Sequence, residues 1–311
     1  MFSKSLQRLI RAISSFNHAT NRWAAVPLRG PNRPITQTPP FHPADAVGKQ
    51  SLSLASWNIQ ASQSASLGPK SSDIIHLQEI TSSVRRSLLD DSRVRSGFLT
   101  TDAEDDTSFK GRPFATMTLL SRERFGSPFL DEEGERGGKL MLDSVFRMEL
   151  PSRYGRDALC VGIIAPAASG AVIRLLNVHL DSLNYHFRRE LQMWALADLL
   201  REPGCTGGII AGDFNAVAIF REDHELVDKY KLLGAWVALH GSTGSDGATW
   251  GVDVELEGEL KPGRLDKVVM SGSVKPEEIE VLQPGLIGPG RPWSHEPWSD
   301  HCGLRCTFAN M

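Results

Sequence analysis

Between residues 51 and 308 the chain alternates short apolar, β-branched runs with polar, Gly or Pro residues. Runs of this length bounded by turn-forming residues predict β-strands. The predicted strands are SLSLASWNI (51–59), DIIHLQ (73–78), ATMTLL (115–120), LCVGIIA (159–165), VIRLLNVHL (172–180), GIIAGD (208–213), KVVM (267–270) and GLRCTF (303–308). Helical patterns are fewer, the clearest at 186–202 and weaker ones at 81–90 and 222–233. Many strands with few helices predict one α/β domain, with two packed β-sheets flanked by helices.

The first 48 residues differ in composition from the rest. Lys or Arg occurs seven times in residues 1–50 against one acid, Asp45, and prolines are frequent from residue 26 onward. Apolar side chains from Phe2 to Phe16 share one helical face, with basic residues on the other, a pattern typical of a mitochondrial transit peptide. The alternative is a disordered basic tail. We therefore expect a basic, Pro-rich extension over 1–48, for targeting or disordered, and a catalytic domain over 51–309.

Composition excludes several classes of function. After residue 50 the chain has 27 Lys or Arg against 36 Asp or Glu, which disfavours broad adhesion to nucleic acid because that depends on neutralising phosphates. No run of 18 apolar residues occurs, so no membrane span is expected. The four cysteines are scattered and lack zinc-site spacing, which indicates reduced thiols in an intracellular protein.

Polar clusters lie at the ends of the predicted strands. They are Ser56-Trp57-Asn58, Gln78-Glu79, the stretch from Asn177 to Ser182, Gly212-Asp213-Phe214-Asn215, Arg264-Leu265-Asp266 and Trp298-Ser299-Asp300-His301. Strand ends that face one rim of a sandwich bring such groups together, as rigid scaffolds do for catalytic loops. In an extended chain Asp213 and Asn215 project on one face, with Phe214 turned toward the core.

Several carboxylates in one cleft repel each other, by about 4 kcal/mol for two charges 4 Å apart at an intermediate dielectric. Either a cation relieves this repulsion or some carboxylates are protonated. The available ligands are carboxylate and amide oxygens, so the expected ion is Mg²⁺, with Mn²⁺ as a substitute, and not Zn²⁺. A hard divalent ion beside Asn and His side chains is typical of a site that polarises a phosphoryl group.

The motifs SWNI, LQE, NVHLDS, GDFN, RLDK and SDH, in this order, resemble the endonuclease/exonuclease/phosphatase superfamily of metal-dependent phosphodiesterases. The resemblance extends from about Leu54 to Phe308 and implies a four-layer, deoxyribonuclease-like sandwich. Within the superfamily the chain is most similar to the 5′-tyrosyl-DNA phosphodiesterases, through RPFATMTLLSRERF (112–125), RDALCVGI (156–163), HLDS (179–182), ATW (248–250) and RLDKVV (264–269). It departs from them at Gln60, where an Asp is usual, at Asn184, where an Arg is usual, and at Gly251, where an Asp is usual.

The resemblance also implies a role for each site residue. Glu79 would be the main Mg²⁺ ligand, with Asp300 nearby and Asn58 supporting metal or phosphate. Asp213 would activate the attacking water, and His301, oriented by Asp266, would stabilise charge on the phosphate. The remaining residues would form the phosphate cradle and the pocket wall: His179, Ser182 and Asn215, and Trp250.

The implied activity is Mg²⁺-dependent hydrolysis of a phosphoester at a DNA 5′ end, preferably a 5′-phosphotyrosyl adduct, in DNA repair. A nuclear and a mitochondrial location both suit this chemistry. Two alternatives stay open. The same chemistry can act on abasic-site DNA, RNA, or inositol or nucleotide phosphates, and the fold can serve as a binding module without catalysis.

Overall fold

The computed structural model describes residues 6–28, 51–62, 72–129, 139–164, 171–216, 222–241, 247–252, 256, 258, 260–285 and 297–309. Its strands are β1 (Arg8–Ile10), β2 (Ile13–Asn17), β3 (Arg22–Ala25), β4 (Leu52–Asn58), β5 (Ile74–Ile80), β6 (Phe98–Thr101), β7 (Ala115–Ser121), β8 (Phe125–Gly126), β9 (Leu140–Glu149), β10 (Asp157–Ile164), β11 (Val172–His179), β12 (Cys205–Asp213), β13 (Leu233–Gly234), β14 (Asp266–Gly272), β15 (Lys275–Leu282) and β16 (Gly303–Ala309). Its helices are α1 (Ser82–Asp90), α2 (Ser92–Gly97), α3 (His186–Leu200), α4 (Glu222–Lys229) and α5 (Ala235–His240).

The strands form two eight-stranded mixed sheets. The first sheet has the order β1-β9-β10-β11-β12-β14-β13, with β8 beside β9. The second has the order β15-β16-β4-β5-β7-β6-β2-β3. The parallel pairings are β11 with β12 and β8 with β9 in the first sheet, and β4 with β5 in the second. The other pairings within these two sheets are antiparallel. The predicted α/β sandwich of two packed sheets is confirmed.

Three apolar clusters separate four layers. One lies between the sheets and is built from alternate residues of facing strands, such as Leu54 and Ile74 against Leu175 and Ile209. The second joins the outer face of the first sheet to α3, and the third joins the outer face of the second sheet to α1 and α2. Among the described residues, no helix is both long and apolar enough to cross a membrane.

The N-terminal segment is part of both sheets. β1 pairs with β9 of the first sheet, and β2 pairs with β6 of the second. Ile13 is fully buried and Phe16 is 5% exposed. The expectations of an amphipathic helix and of a domain start near Ser51 are therefore corrected for residues 6–28. Strand pairing at two open sheet edges satisfies backbone groups and buries apolar side chains, which outweighs a local helical pattern. Residues 29–50 lie outside the described residues.

A buried ion network ties the two sheets together. Arg147 of β9, 2% exposed, binds Asp102, which directly follows β6 of the second sheet, at 2.9 Å and 3.3 Å. Its Nη1 also lies 2.7 Å from an oxygen of Asp157 and 3.0 Å from the hydroxyl of Thr116. Burial disfavours the guanidinium charge, but the two carboxylates outweigh this and raise the pKa of Arg147. The network fixes the start of β10, next to Arg156.

We expect Arg147→Met to destabilise the protein by about 3–5 kcal/mol, because it leaves two carboxylates buried without their counter-charge. Urea unfolding followed by circular dichroism measures the loss. Arg93→Met is the matched control, since Arg93 is exposed and pairs with Asp91 at the surface; its loss should stay within about 1 kcal/mol. Equal effects of the two substitutions would contradict a structural role for the network.

Candidate active site

The predicted site residues converge because the strands that carry them meet at one rim. The parallel strands β4, β5, β11 and β12 end in Asn58, Glu79-Ile80, His179 and Asp213. β14 runs antiparallel to β12, so its first residue, Asp266, pairs with Asp213. β16 runs antiparallel to β4, and His301 lies two residues before β16, where its carbonyl accepts the indole N–H of Trp57 from β4 at 2.9 Å.

Asn58 joins the two central carboxylates. Its amide nitrogen lies 3.0 Å from Asp213 Oδ2 and 3.3 Å from Glu79 Oε1. Glu79 has φ of 55° and lies where the pairing of β5 with β7 shifts register. Such a bulge redirects a side chain, and left-handed backbone outside Gly is strained and concentrated at functional sites. Burial raises the pKa of Glu79, while the Asn58 hydrogen bond lowers it in part.

A second group links Asp213, Asp266 and His301. His301 Nδ1 lies 2.7 Å from Asp266 Oδ2, and its Nε2 lies 3.9 Å from Asp213 Oδ2. Burial lowers the pKa of His301, but Asp266 and Asp213 outweigh it and raise the pKa to about 10. Burial raises the pKa of Asp213 to about 6, against the opposing charge of His301. At neutral pH His301 is therefore an imidazolium held by Asp266, and Asp213 is a carboxylate close to its titration point.

His179 is a neutral histidine in the same cleft. Its Nδ1 lies 3.0 Å from Arg156 Nη1 and accepts a hydrogen bond from this guanidinium, which leaves the proton on Nε2. Nε2 lies 3.4 Å from Asp213 Oδ2 and 3.9 Å from Glu79 Oε1. Burial, with Arg156 and His301 nearby, holds the pKa of His179 well below its usual value. The tautomer is assigned from these contacts.

Arg156 is the residue that the sequence predictions missed. It lies at the start of RDALCVGI, one residue before β10, and its guanidinium reaches the cleft only because β10 and β11 pair in register. Burial lowers its pKa, while Asp213 and Glu79 oppose the shift. Arg156 also lines a cavity with Arg112, Thr116 and His179. A cation that faces two carboxylates and a neutral imidazole can hold a phosphate oxygen.

Asn215 reaches the site differently from the prediction. It has φ of 50°, so the chain turns after Asp213 and does not continue as an extended strand. Its backbone N–H donates to Asp213 Oδ1 at 2.7 Å, and its amide nitrogen donates to the carbonyl of Leu180 at 3.0 Å. Phe214 is buried in the cluster beneath α3, as expected. Asn215 therefore orients the Asp213 carboxylate and fixes the loop after β11.

Two further predicted residues, Trp250 and Asp300, lie at the border of the cleft beside His301. The indole N–H of Trp250 lies 3.3 Å from Asp300 Oδ2, and Trp250 forms a β-bridge with His301. The Asp300 side chain is 45% exposed and lies 4.0 Å from His301 Nε2. Gln60, which replaces an expected Asp, accepts the backbone N–H of Asp300 at 3.1 Å. Ser182 follows β11 and is half-buried.

The sequence profile of the Endonuclease/Exonuclease/phosphatase family matches residues 55–301, which includes every site residue described above. The chain belongs to this family. Members are hydrolases that act on phosphoesters, and the family is metal-dependent. Comparison with curated proteins finds no significant match.

Solved structures of the endonuclease/exonuclease/phosphatase fold are similar over nearly their whole length. Truncated Caenorhabditis elegans TDP2 shares 21% identity at a TM-score of 0.58, covering 83% of this chain and 97% of that one. D. rerio TDP2 complexed with single strand DNA product shares 18% identity at a TM-score of 0.59, covering 83% and 98%. The human Nocturnin catalytic domain with bound sulfate anion shares 17% identity at a TM-score of 0.51, covering 84% and 97%. At these identities the likeness supports the fold.

The carboxylates of the cleft fit a hard metal ion that prefers oxygen ligands. Glu79 and Asp213 share the amide of Asn58, and burial raises the pKa of both carboxyls, so their negative charge is only partly compensated. A second arrangement of possible ligand atoms, in Asp213, Asp266 and His301, lies within 4.8 Å. There the imidazolium of His301 already supplies positive charge, which makes this group a poorer cation site than Glu79.

We expect the stability that His301 adds to the metal-free protein to fall as pH rises. The folded protein holds the His301 proton more tightly than the unfolded chain, because the pKa is raised from 6.5 to about 10. The contribution is thus complete below pH 6.5 and is lost as pH rises through about 10. The difference in unfolding free energy between the wild type and His301→Gln, measured by urea unfolding in chelator, gives this contribution at each pH. His186→Gln, at an exposed histidine, is the control. A difference that is constant between these pH values would contradict the ion pair.

Proposed function

We propose that the chain is a Mg²⁺-dependent phosphodiesterase that hydrolyses a phosphoester at the 5′ end of DNA, with 5′-phosphotyrosyl adducts as its preferred substrate, in DNA repair. The observation that carries the proposal is the convergence of Asp213, the His301–Asp266 pair and the His179–Arg156 pair on one cleft. Two TDP2 structures among the similar folds, one with a single strand DNA product, support the choice of substrate. We place the activity in the nucleus or the mitochondrion.

In this proposal Asp213 takes the proton of the attacking water. Its carboxyl is oriented by Asn58 and by the Asn215 backbone, and a base with a pKa of about 6 is efficient near neutral pH. The water oxygen forms a new bond to phosphorus while the bond from phosphorus to the tyrosyl oxygen breaks, and the tyrosyl oxygen is protonated from solvent.

The cationic and neutral donors hold the phosphate in this mechanism. His301 donates from Nε2 to a phosphate oxygen while Asp266 keeps it protonated. Arg156 and Ser182 hold further oxygens, and Trp250 bounds the pocket beside Asp300. Glu79, with Asp300 and Asn58 nearby, would hold Mg²⁺, which would supply Lewis-acid polarisation of the phosphoryl group.

Hydrolysis of a 5′-tyrosyl oligonucleotide, with Mg²⁺ and with chelator, tests the proposal. We expect release of tyrosine and a 5′-phosphate only with the metal. Cleavage of another phosphoester while the tyrosyl substrate is untouched would overturn the assignment. Gln60 and Asn184 differ from the pattern of tyrosyl-DNA phosphodiesterases and keep other substrates open. A Bacteroides thetaiotaomicron mannosyl-6-phosphatase has a similar fold (13% identity, TM-score 0.52). A panel with abasic-site DNA, RNA and sugar or inositol phosphates separates these substrates.

A binding module that has lost its metal site together with catalysis should show no Mg²⁺ binding through Glu79. We expect Mg²⁺ at 100 times its dissociation constant to stabilise the wild type by about 2.7 kcal/mol. Glu79→Gln should abolish this stabilisation, whereas the exposed Glu278→Gln should retain it. Thermal unfolding with and without Mg²⁺ measures both. If Asp266→Asn abolishes the stabilisation and Glu79→Gln does not, the metal lies instead at the group of Asp213, Asp266 and His301.

A further inference from the structure

Two tyrosines and an arginine lie beside the catalytic cleft and have no part in the proposed chemistry. We call Arg153, Tyr154 and Tyr185 the aromatic shelf. The two tyrosine rings meet edge to face, with centroids 5.9 Å apart and an interplanar angle of 84°. The Arg153 guanidinium carbon lies 5.4 Å from the Tyr185 ring centroid, and the guanidinium donates to the Tyr185 hydroxyl.

The shelf is continuous with the catalytic cleft through Arg156. Its guanidinium carbon lies 5.6 Å from the Tyr154 ring centroid, and its Nη1 lies 3.0 Å from His179 Nδ1. His179 faces Asp213 at 3.4 Å on its other side. A substrate whose phosphate occupies the cleft therefore has its neighbouring group within reach of the shelf.

A buried carboxylate holds the shelf in position. Asp181 is fully buried and belongs to the motif HLDS, where the phosphate chemistry gives it no role. It accepts the backbone N–H of Arg153 at 2.9 Å and the hydroxyl of Ser152. It also accepts Gln192 Nε2 from α3 at 3.0 Å. The segment that carries Arg153 and Tyr154 is thus fixed against the loop that carries Tyr185.

The exposure and charge of the shelf match a nucleic acid. Tyr154 is 38% exposed and Arg153 is exposed, so packing in the apolar core does not explain why these side chains are there. Single-stranded nucleic acids alternate aromatic bases with phosphates, and proteins bind them with aromatic faces beside cations. A tyrosyl leaving group offers a ring but no further phosphate, so it would use the tyrosines and leave Arg153 without a partner phosphate.

We propose that the aromatic shelf stacks on the nucleobase next to the cleaved phosphodiester, with Arg153 binding the following phosphate. This rests on the proposed function, because it takes the substrate to be a nucleic acid strand. Asp181 is a positioning residue for the shelf.

Binding of an oligonucleotide with 2-aminopurine as its 5′-terminal base tests the shelf without turnover. In chelator, stacking on the full-length wild type should quench the fluorescence of this base. Quenching should be lost when Tyr154 and Tyr185 are both replaced by Ala, and kept when both are replaced by Phe. Trp194→Ala is the control, since Trp194 is an exposed aromatic residue of α3 outside the shelf. Equal quenching by the double Ala variant and the wild type would overturn the proposal.

Kinetics with two substrates identify what the shelf binds. For a 5′-tyrosyl oligonucleotide the double Ala variant should raise KM about 5- to 150-fold, the range for losing one base stack, with kcat little changed. With an abasic first nucleotide, wild type and variant should have the same KM. The double Ala variant could instead raise KM equally for substrates with and without the first base, and not raise it for a substrate with an alkyl leaving group. That result would assign the shelf to the tyrosyl ring and overturn our proposal. If the wild type cleaves no nucleic acid but the quenching pattern holds, the proposed function fails and the shelf stands.

Discussion

Asp213→Asn should lower kcat by about 10²–10⁴-fold, the contribution of a positioned general base. The substitution keeps the size of the side chain, and its single oxygen can accept from the Asn215 backbone as Asp213 Oδ1 does, so the turn after β12 should be retained. The amide nitrogen then replaces Oδ2, which accepts from Asn58 in the wild type. An amide cannot take the proton of the attacking water. Steady-state hydrolysis of the 5′-tyrosyl oligonucleotide measures the loss, and KM should change far less than kcat.

The stability of the same variant in chelator should depend less on pH than that of the wild type between pH 3.8 and about 6. Burial raises the pKa of Asp213 to about 6 from 3.8, so the folded state prefers the protonated form. The stability from this group is present at low pH and is lost as pH rises through about 6, and Asn avoids the loss. Asp90→Asn, at a largely exposed side chain, is the matched control for both assays. Turnover within tenfold of the wild type, or an unchanged pH dependence of stability, would contradict the role of Asp213.

Most of the site can be predicted from the sequence because its residues lie at the ends of predicted strands. Each polar cluster follows or precedes an apolar run, and in a sandwich with parallel strand pairs these ends must share a rim. Asn58, Glu79, Asp213 and His301 were placed together for this reason, and the structure brings them within hydrogen-bonding or ion-pair distances. The types of residue, oxygen ligands with histidine, indicate phosphate chemistry from the sequence alone.

Other features depend on contacts that no local pattern carries. Arg156 looks like an ordinary charged residue before a strand, and only the pairing of β10 with β11 brings it against His179. The bulge that turns Glu79 into the cleft arises from the register of β5 on β7. The turn at Asn215 replaces the extended chain expected there, because its amide binds the carbonyl of Leu180 in a neighbouring loop.

The N-terminal strands show how tertiary pairing reverses a local prediction. In residues 8–16 the apolar positions fit a helical face, but Ile13 and Phe16 are also buried in β2. The backbone N–H of Val26 binds the carbonyl of Ile13, and Arg95 lies over the Phe16 ring at 4.6 Å. These partners are far away in the sequence, so periodicity within the segment cannot reveal them.

Removal of residues 1–28 should destabilise the catalytic domain by several kcal/mol. Exposing the sites filled by Ile13 and Phe16 costs about 1.5–3 kcal/mol for each side chain. The loss also uncovers the edges of β9 and β6. Against a typical total of about 5–15 kcal/mol, this is enough to leave much of the protein unfolded or aggregated. Urea unfolding and activity of the shortened chain measure the effect, and a chain that lacks only residues 1–5 is the control, since it keeps all three strands.

The result bears directly on the predicted targeting role. Import into mitochondria with cleavage beyond Ala25 would remove β1, β2 and β3 from the mature protein. If the shortened chain is unstable as expected, processing in a functional protein has to spare Arg8–Ala25, and N-terminal sequencing of protein recovered from mitochondria should find these residues. If the chain that lacks residues 1–28 unfolds at the same urea concentration as the full chain and is as active, the strands are dispensable and cleavage after them is compatible with function.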